Sequence, residues 1–202
     1  MRSLFLLFLL LLLPMTARAI DAPAAQVVMD AGKVLRGRFV EEHQMNPTAN
    51  PLRTSGHFVV APAEGLIWGI EKPFATSTTI TPNGAAQNLG GLVMSVPMKN
   101  FRHLYDMVGG ALAGDWQGLA DDFVITEKNN GDHWSRILTP RPNGSSTRLP
   151  YASISVGGSH FVENIVLTKA DGSYDRFVFT DAVLSSLPLA AAEIAAFKTV
   201  AH

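Results

Sequence analysis

Six histidines, at positions 43, 57, 103, 133, 160 and 202, are the first residues whose chemistry bears on function. A metal site needs such side chains at spacings that converge on one ion, as in H-E-x-x-H on a helix face. Neither that motif nor H-x-H occurs, so each histidine reads as a solvated strand or loop side chain. Ser159 lies in Gly157-Gly158-Ser159-His160, a hydroxyl beside an imidazole. A nucleophile elbow needs G-x-S-x-G between a strand and a helix, whereas this run joins two strand-like segments and reads as a turn. Asp121 and Asp122 are sequence neighbours, so their side chains diverge. Asp171-Gly172-Ser173-Tyr174-Asp175 begins like a calcium loop but lacks the later acidic positions and the closing Glu. Asn143-Gly144-Ser145 matches a glycosylation sequon, yet Asn-Gly is first of all turn chemistry. The chain has no cysteine, which removes thiolate ligands, disulfides and a thiol nucleophile. The expectation is a protein without catalytic residues, metal or cofactor.

The elements around these residues are mostly strands. Leu52–Ala61 alternates Leu52, Thr54, Gly56, Phe58 and Val60 against Arg53, Ser55, His57 and Val59. Gly65–Lys72 sets Leu66, Trp68 and Ile70 on one face, the period of two that a strand requires. Thr76–Thr81, Phe123–Lys128, His133–Pro140, Tyr151–Val156, His160–Lys169 and Ser173–Thr180 are strand-like as well, and Ala85–Val96 is a weak, glycine-interrupted candidate. Asn129-Asn130-Gly131-Asp132, Gly157-Gly158 and Ala170-Asp171-Gly172 between them are hairpin chemistry. Strands joined by such short turns must be antiparallel. Helical spacing appears at 22–36 (Val27, Val28, Ala31, Val34, Leu35), at about 97–121 (Phe101, Leu104, Tyr105, Val108, Leu112) and at 189–200. Gly109-Gly110 and Gly114 break the middle stretch into two short helices. The fold class is α+β: a large antiparallel sheet curved over helices.

The N-terminus carries Arg2, an apolar block Leu4–Leu13 and Ala17-Arg18-Ala19, the pattern of a cleaved secretory signal peptide over residues 1–19. A single domain over 20–202 follows. Loss of Arg2 and Arg18 leaves 14 basic against 17 acidic side chains, a net −3. That balance argues against nucleic acid as a partner, because neutralising phosphates needs an excess of Lys and Arg.

Part of this chain resembles the LolA-type family, periplasmic carriers of outer-membrane lipoproteins in Gram-negative bacteria. The residues that carry the resemblance run Gly37-Arg38-Phe39-Val40-Glu41, Thr54-Ser55-Gly56-His57-Phe58, Gly65-Leu66-Ile67-Trp68, Lys72-Pro73-Phe74 and Ile80-Thr81-Pro82-Asn83-Gly84. The C-terminal half matches in pattern only. The resemblance implies an incomplete β-barrel whose helices close like a lid over an apolar cavity for acyl chains. It implies Phe39, Phe58, Val60, Leu66, Trp68 and Ile70 as lining residues, with Val28, Ala31 and Leu35 on the lid. It also implies periplasmic localisation, a monomer, an inner-membrane exporter as donor and an outer-membrane acceptor. The cargo would be an acylated lipoprotein or another lipid.

One position departs from the family pattern. An arginine stands there just before the proline of the turn after the second strand, and it holds the lid shut. Here the run reads Val60-Ala61-Pro62, and nothing replaces a guanidinium fork. The departure points to a different closure or to a lipid cargo such as a glycolipid or an aryl-polyene-type lipid. A lipid-sensing or regulatory interaction module on the same half-barrel is the alternative function, since a fold hosts more than one.

Overall fold

Short turns dictate how the sheet is laid down: each strand folds back beside the one before it. The computed structural model describes residues 26–45, 50–102, 104–120, 122–142 and 151–200. The expected signal peptide, the start of the expected first helix, His103, Asp121, the Asn143 turn and His202 lie outside them. Six strands form the first meander: β1 (Lys33–Gln44), β2 (Leu52–Ala61), β3 (Gly65–Lys72), β4 (Thr76–Thr81), β5 (Gly84–Leu89) and β6 (Leu92–Val96). Five form the second: β7 (Phe123–Asn130), β8 (His133–Pro140), β9 (Tyr151–Gly158), β10 (Val162–Lys169) and β11 (Tyr174–Ser186). The first and last strands, β1 and β11, pair antiparallel and join the meanders into one sheet of order β6-β5-β4-β3-β2-β1-β11-β10-β9-β8-β7. The sheet does not close, because β6 and β7 remain its edges.

The chain between those edges is helical in pieces. A π-helical turn, Leu104–Gly109, runs into α1 (Gly110–Ala113), and α2 (Gln117–Ala120) follows after Trp116. Glycines at 109, 110 and 114 explain the brevity, since each weakens a helix interior by roughly 1 kcal/mol relative to Ala. Gly114 ends α1 in the left-handed region, with φ 77°, as helix C-termini commonly do. These pieces pack Met107, Val108, Ala111, Leu112 and Leu119 against the inward face of both meanders, in one continuous core. On the outward face a smaller cluster of Val34, Val59, Ala61, Ile67 and Phe197 seats the terminal helix α3 (Ala191–Lys198). A bidentate ion pair fastens α3 to the sheet, Arg36 Nε and Nη2 donating to Glu193 at 2.6 and 2.7 Å.

The expected helix at 22–36 is corrected: residues 26–30 are irregular, Ala31 and Gly32 form a turn, and β1 begins at Lys33. Helical spacing of a few small apolar residues is a weak signal, and Val27, Val28 and Val34 favour extended backbone. Two ladders decide the matter. β1 hydrogen-bonds β2 on one side and β11 on the other, and tertiary pairing of that extent overrides propensity. The weak stretch 85–96 forms both β5 and β6 about the Gly90-Gly91 turn.

Candidate functional site

The two-residue period of β2 and β3 brings the expected lining residues together. Phe39, Phe58, Val60, Leu66 and Trp68 are all buried members of the inner core, and half-buried Ile70 packs against it. Phe39 lies flat on Trp68, ring centroids 3.7 Å apart. Trp68 meets Phe177 and Phe179 edge-on at 5.9 and 6.4 Å, and Phe58 meets Phe179 at 5.5 Å. Gly37, opposite Phe58 across the ladder, makes room for that ring: a Cβ there would sit 2.6 Å from two of its carbons.

The described side chains of this inner face are closely packed. Trp68 is only 4% exposed, Phe39 and Phe58 1% each and Leu66 not at all, so these walls present almost no open surface. Any ligand would reach these walls only by parting side chains that now touch. A depression of about 50 Å³ lies on the outward face, between β4–β6 and α3. It has room for one or two waters rather than an alkyl chain.

Of the residues expected on a lid helix, Leu35 does join the inner core, but as a β1 residue. Val28 is 72% exposed and Ala31 sits in an exposed turn, so neither covers the interior. Covering falls to the 104–120 segment and to Met29. Phe177 and Phe179 form the wall opposite Trp68 and were missed, although their alternation within Ser173–Thr180 is the same signal that marks Leu66 and Trp68.

Toward the end of β1 the inward face turns polar. Glu41 follows Phe39 at the next inward position, and His43 follows Glu41. Asp175, 8% exposed, hydrogen-bonds His43 Nδ1 across the β1–β11 ladder, with Lys169 Nζ at 3.7 Å and the Tyr151 hydroxyl at 3.5 Å. Burial raises the Glu41 carboxyl above its usual range, opposed by a hydrogen bond from Thr54. Burial, then the Asp175 charge, pushes the Tyr151 phenol up to about 12. These groups tie strands together, and Ser159 and Asp171 are likewise engaged in turns. Ser159 Oγ donates to Glu163 at 2.7 Å. The Asp171 carboxylate receives the Ser173 amide and hydroxyl, closing the β10–β11 turn. Among the described residues no three His, Asp or Glu side chains gather closely enough to hold a metal ion, and no helix is long and apolar enough to cross a membrane.

The sequence matches no family model and no curated protein. Among solved structures it is similar to a LolA superfamily protein from Nitrosomonas europaea, at 11% identity and a TM-score of 0.48, over 80% of this chain and 90% of that one. It is similar to the MucA/MucB complex of Pseudomonas aeruginosa at 13% identity and 0.49, over 81% of this chain and 56% of that one. Lipoprotein LppX from Mycobacterium tuberculosis is also similar, at 8% identity and 0.38, over 79% of this chain and 89% of that one.

Proposed function

We propose that this protein is a non-catalytic periplasmic carrier that shelters acyl chains of a lipoprotein or lipid between an inner-membrane exporter and an outer-membrane acceptor. One observation carries the reading: a continuous apolar face, walled by aromatic rings, lies beneath a cover built largely of short helical pieces. Short pieces interrupted by glycines can lift from the sheet without unfolding it, as a shelter that must load and unload requires. Each methylene left in water costs about 0.8 kcal/mol, so a chain of roughly sixteen carbons costs on the order of 12 kcal/mol. The cover and the walls would part to admit such a chain, and their mutual contacts would be restored on its release. The chain acts as a monomer, with the domain from residue 20 onward carrying the activity.

Palmitate titrated into the purified protein and followed by native mass spectrometry tests this. The expected result is a 1:1 complex, with slower amide exchange over 104–120 when palmitate is bound. A folded protein that retains no palmitate at saturation would refute the carrier reading.

A further inference from the structure

Arg136 stands where the strand period calls for an apolar residue. On β8 the inward positions are Trp134, 3% exposed, then Arg136, then Leu138, 1% exposed. The arginine side chain is itself only 15% exposed. A guanidinium so placed is costly unless every face of it is occupied. Its carbon lies 4.6 Å from the Trp116 ring centroid and 4.7 Å from that of Trp134. Its Nε donates to Glu127 at 3.0 Å and its Nη1 to the Gln26 side-chain oxygen at 3.1 Å. Trp116 Nε1 donates to that same oxygen at 2.9 Å, and Gln26 Nε2 donates to the Ala111 carbonyl at 2.6 Å.

The groups meeting here belong to three separate parts of the chain: Trp116 and Ala111 to the helical cover, Trp134, Arg136 and Glu127 to the sheet, and Gln26 to the segment before β1. That segment is pinned on both sides, Val27 N donating to the His160 carbonyl and Met29 N to the Ala113 carbonyl, each at 2.9 Å. It passes so close to the end of α1 that a Cβ on Gly114 would lie 2.8 Å from the Val27 carbonyl.

We infer that Arg136 is the latch of the cover and that Gln26–Met29 is the strap through which it grips, an inference that rests on the carrier reading for its purpose but not for its geometry. Opening separates the arginine from Trp116 and Gln26 but returns its charge to water, so hydration offsets part of the loss. A wholly apolar seal has no such compensation and would open far less readily. The charge thus sets a closed state that is preferred yet reversible.

Amide exchange by mass spectrometry on the full-length protein tests the latch without any cargo. In Arg136→Ala, exchange over 27–29 and 104–115 should accelerate about tenfold or more, the scale expected from losing two cation–π contacts, while β1 and β11 stay unchanged. Gln26→Ala, which leaves the sheet intact, should accelerate the same amides. Arg136→Lys should fall between, since an ammonium keeps the charge but loses the planar stacking. Unchanged exchange over those segments in both Ala variants, or an equal rise throughout β1 and β11, overturns the latch. Palmitate separates the two ideas: selective acceleration in a protein that never retains palmitate would uphold the latch and end the carrier reading.

Discussion

Truncating Trp68 tests the packing of the aromatic wall. Its indole is stacked on Phe39 and meets Phe177 and Phe179 edge-on, with 4% of its surface exposed. Core truncations of this size cost about 3–5 kcal/mol. Loss of three ring contacts, each worth roughly 0.5–1.5 kcal/mol beyond area burial, places Trp68→Ala at the upper end. Domains of this kind hold about 5–15 kcal/mol in total, so the variant loses a third or more of its stability. With a urea dependence of about 1–3 kcal/mol per molar, the midpoint falls by roughly 2 M. Urea melts followed by far-ultraviolet circular dichroism read this, since the signal does not depend on the lost fluorophore. A loss below about 1 kcal/mol would mean that the indole is not gripped by its three neighbours, and the closed interior would have to be abandoned. Trp68→Glu is harsher, because a buried carboxylate is disfavoured and its pKa rises. That variant would lose further stability as pH rises, and is a test of folding before it is a test of cargo.

Two further substitutions probe the supports of the site. Gly37→Ala drives a methyl into the Phe58 ring and towards the Thr180 carbonyl; overpacking of this kind costs about 1–3 kcal/mol, read as a lower melting temperature with the fold retained. Glu193→Gln breaks the fork with Arg36, which draws the Glu193 carboxyl below its usual range. The expected loss is about 1–2 kcal/mol at pH 7, discounted because Arg36 is one-third exposed. A depressed folded pKa means stability present above the unfolded value and lost as pH falls through the folded one. Wild type and variant should therefore converge in acid melts below about pH 4, and a constant gap would assign the loss to something other than the ionised pair.

Sequence by itself determined most of the strands and their hairpins. Leu52–Ala61, Gly65–Lys72, Thr76–Thr81 and His133–Pro140 are strands with the bounds their alternation predicts, because a half-buried strand writes its inward face into every second residue. The inward set Phe58, Val60, Leu66, Trp68 and Ile70 was legible for the same reason. The short pieces of the cover were legible from Gly109, Gly110 and Gly114. Only the tertiary structure decided the rest. Leu35 could be placed in a strand only by knowing its ladder partners, Val60 on β2 and Leu184 on β11, the second 149 residues later in the chain, and local spacing holds no record of so distant a partner. Likewise Arg136 reads in sequence as one more surface charge on a hairpin strand. What gives it a place inside is the arrival of Trp116 and Gln26, from 20 and 110 residues away, to enclose a charge that no local pattern would bury.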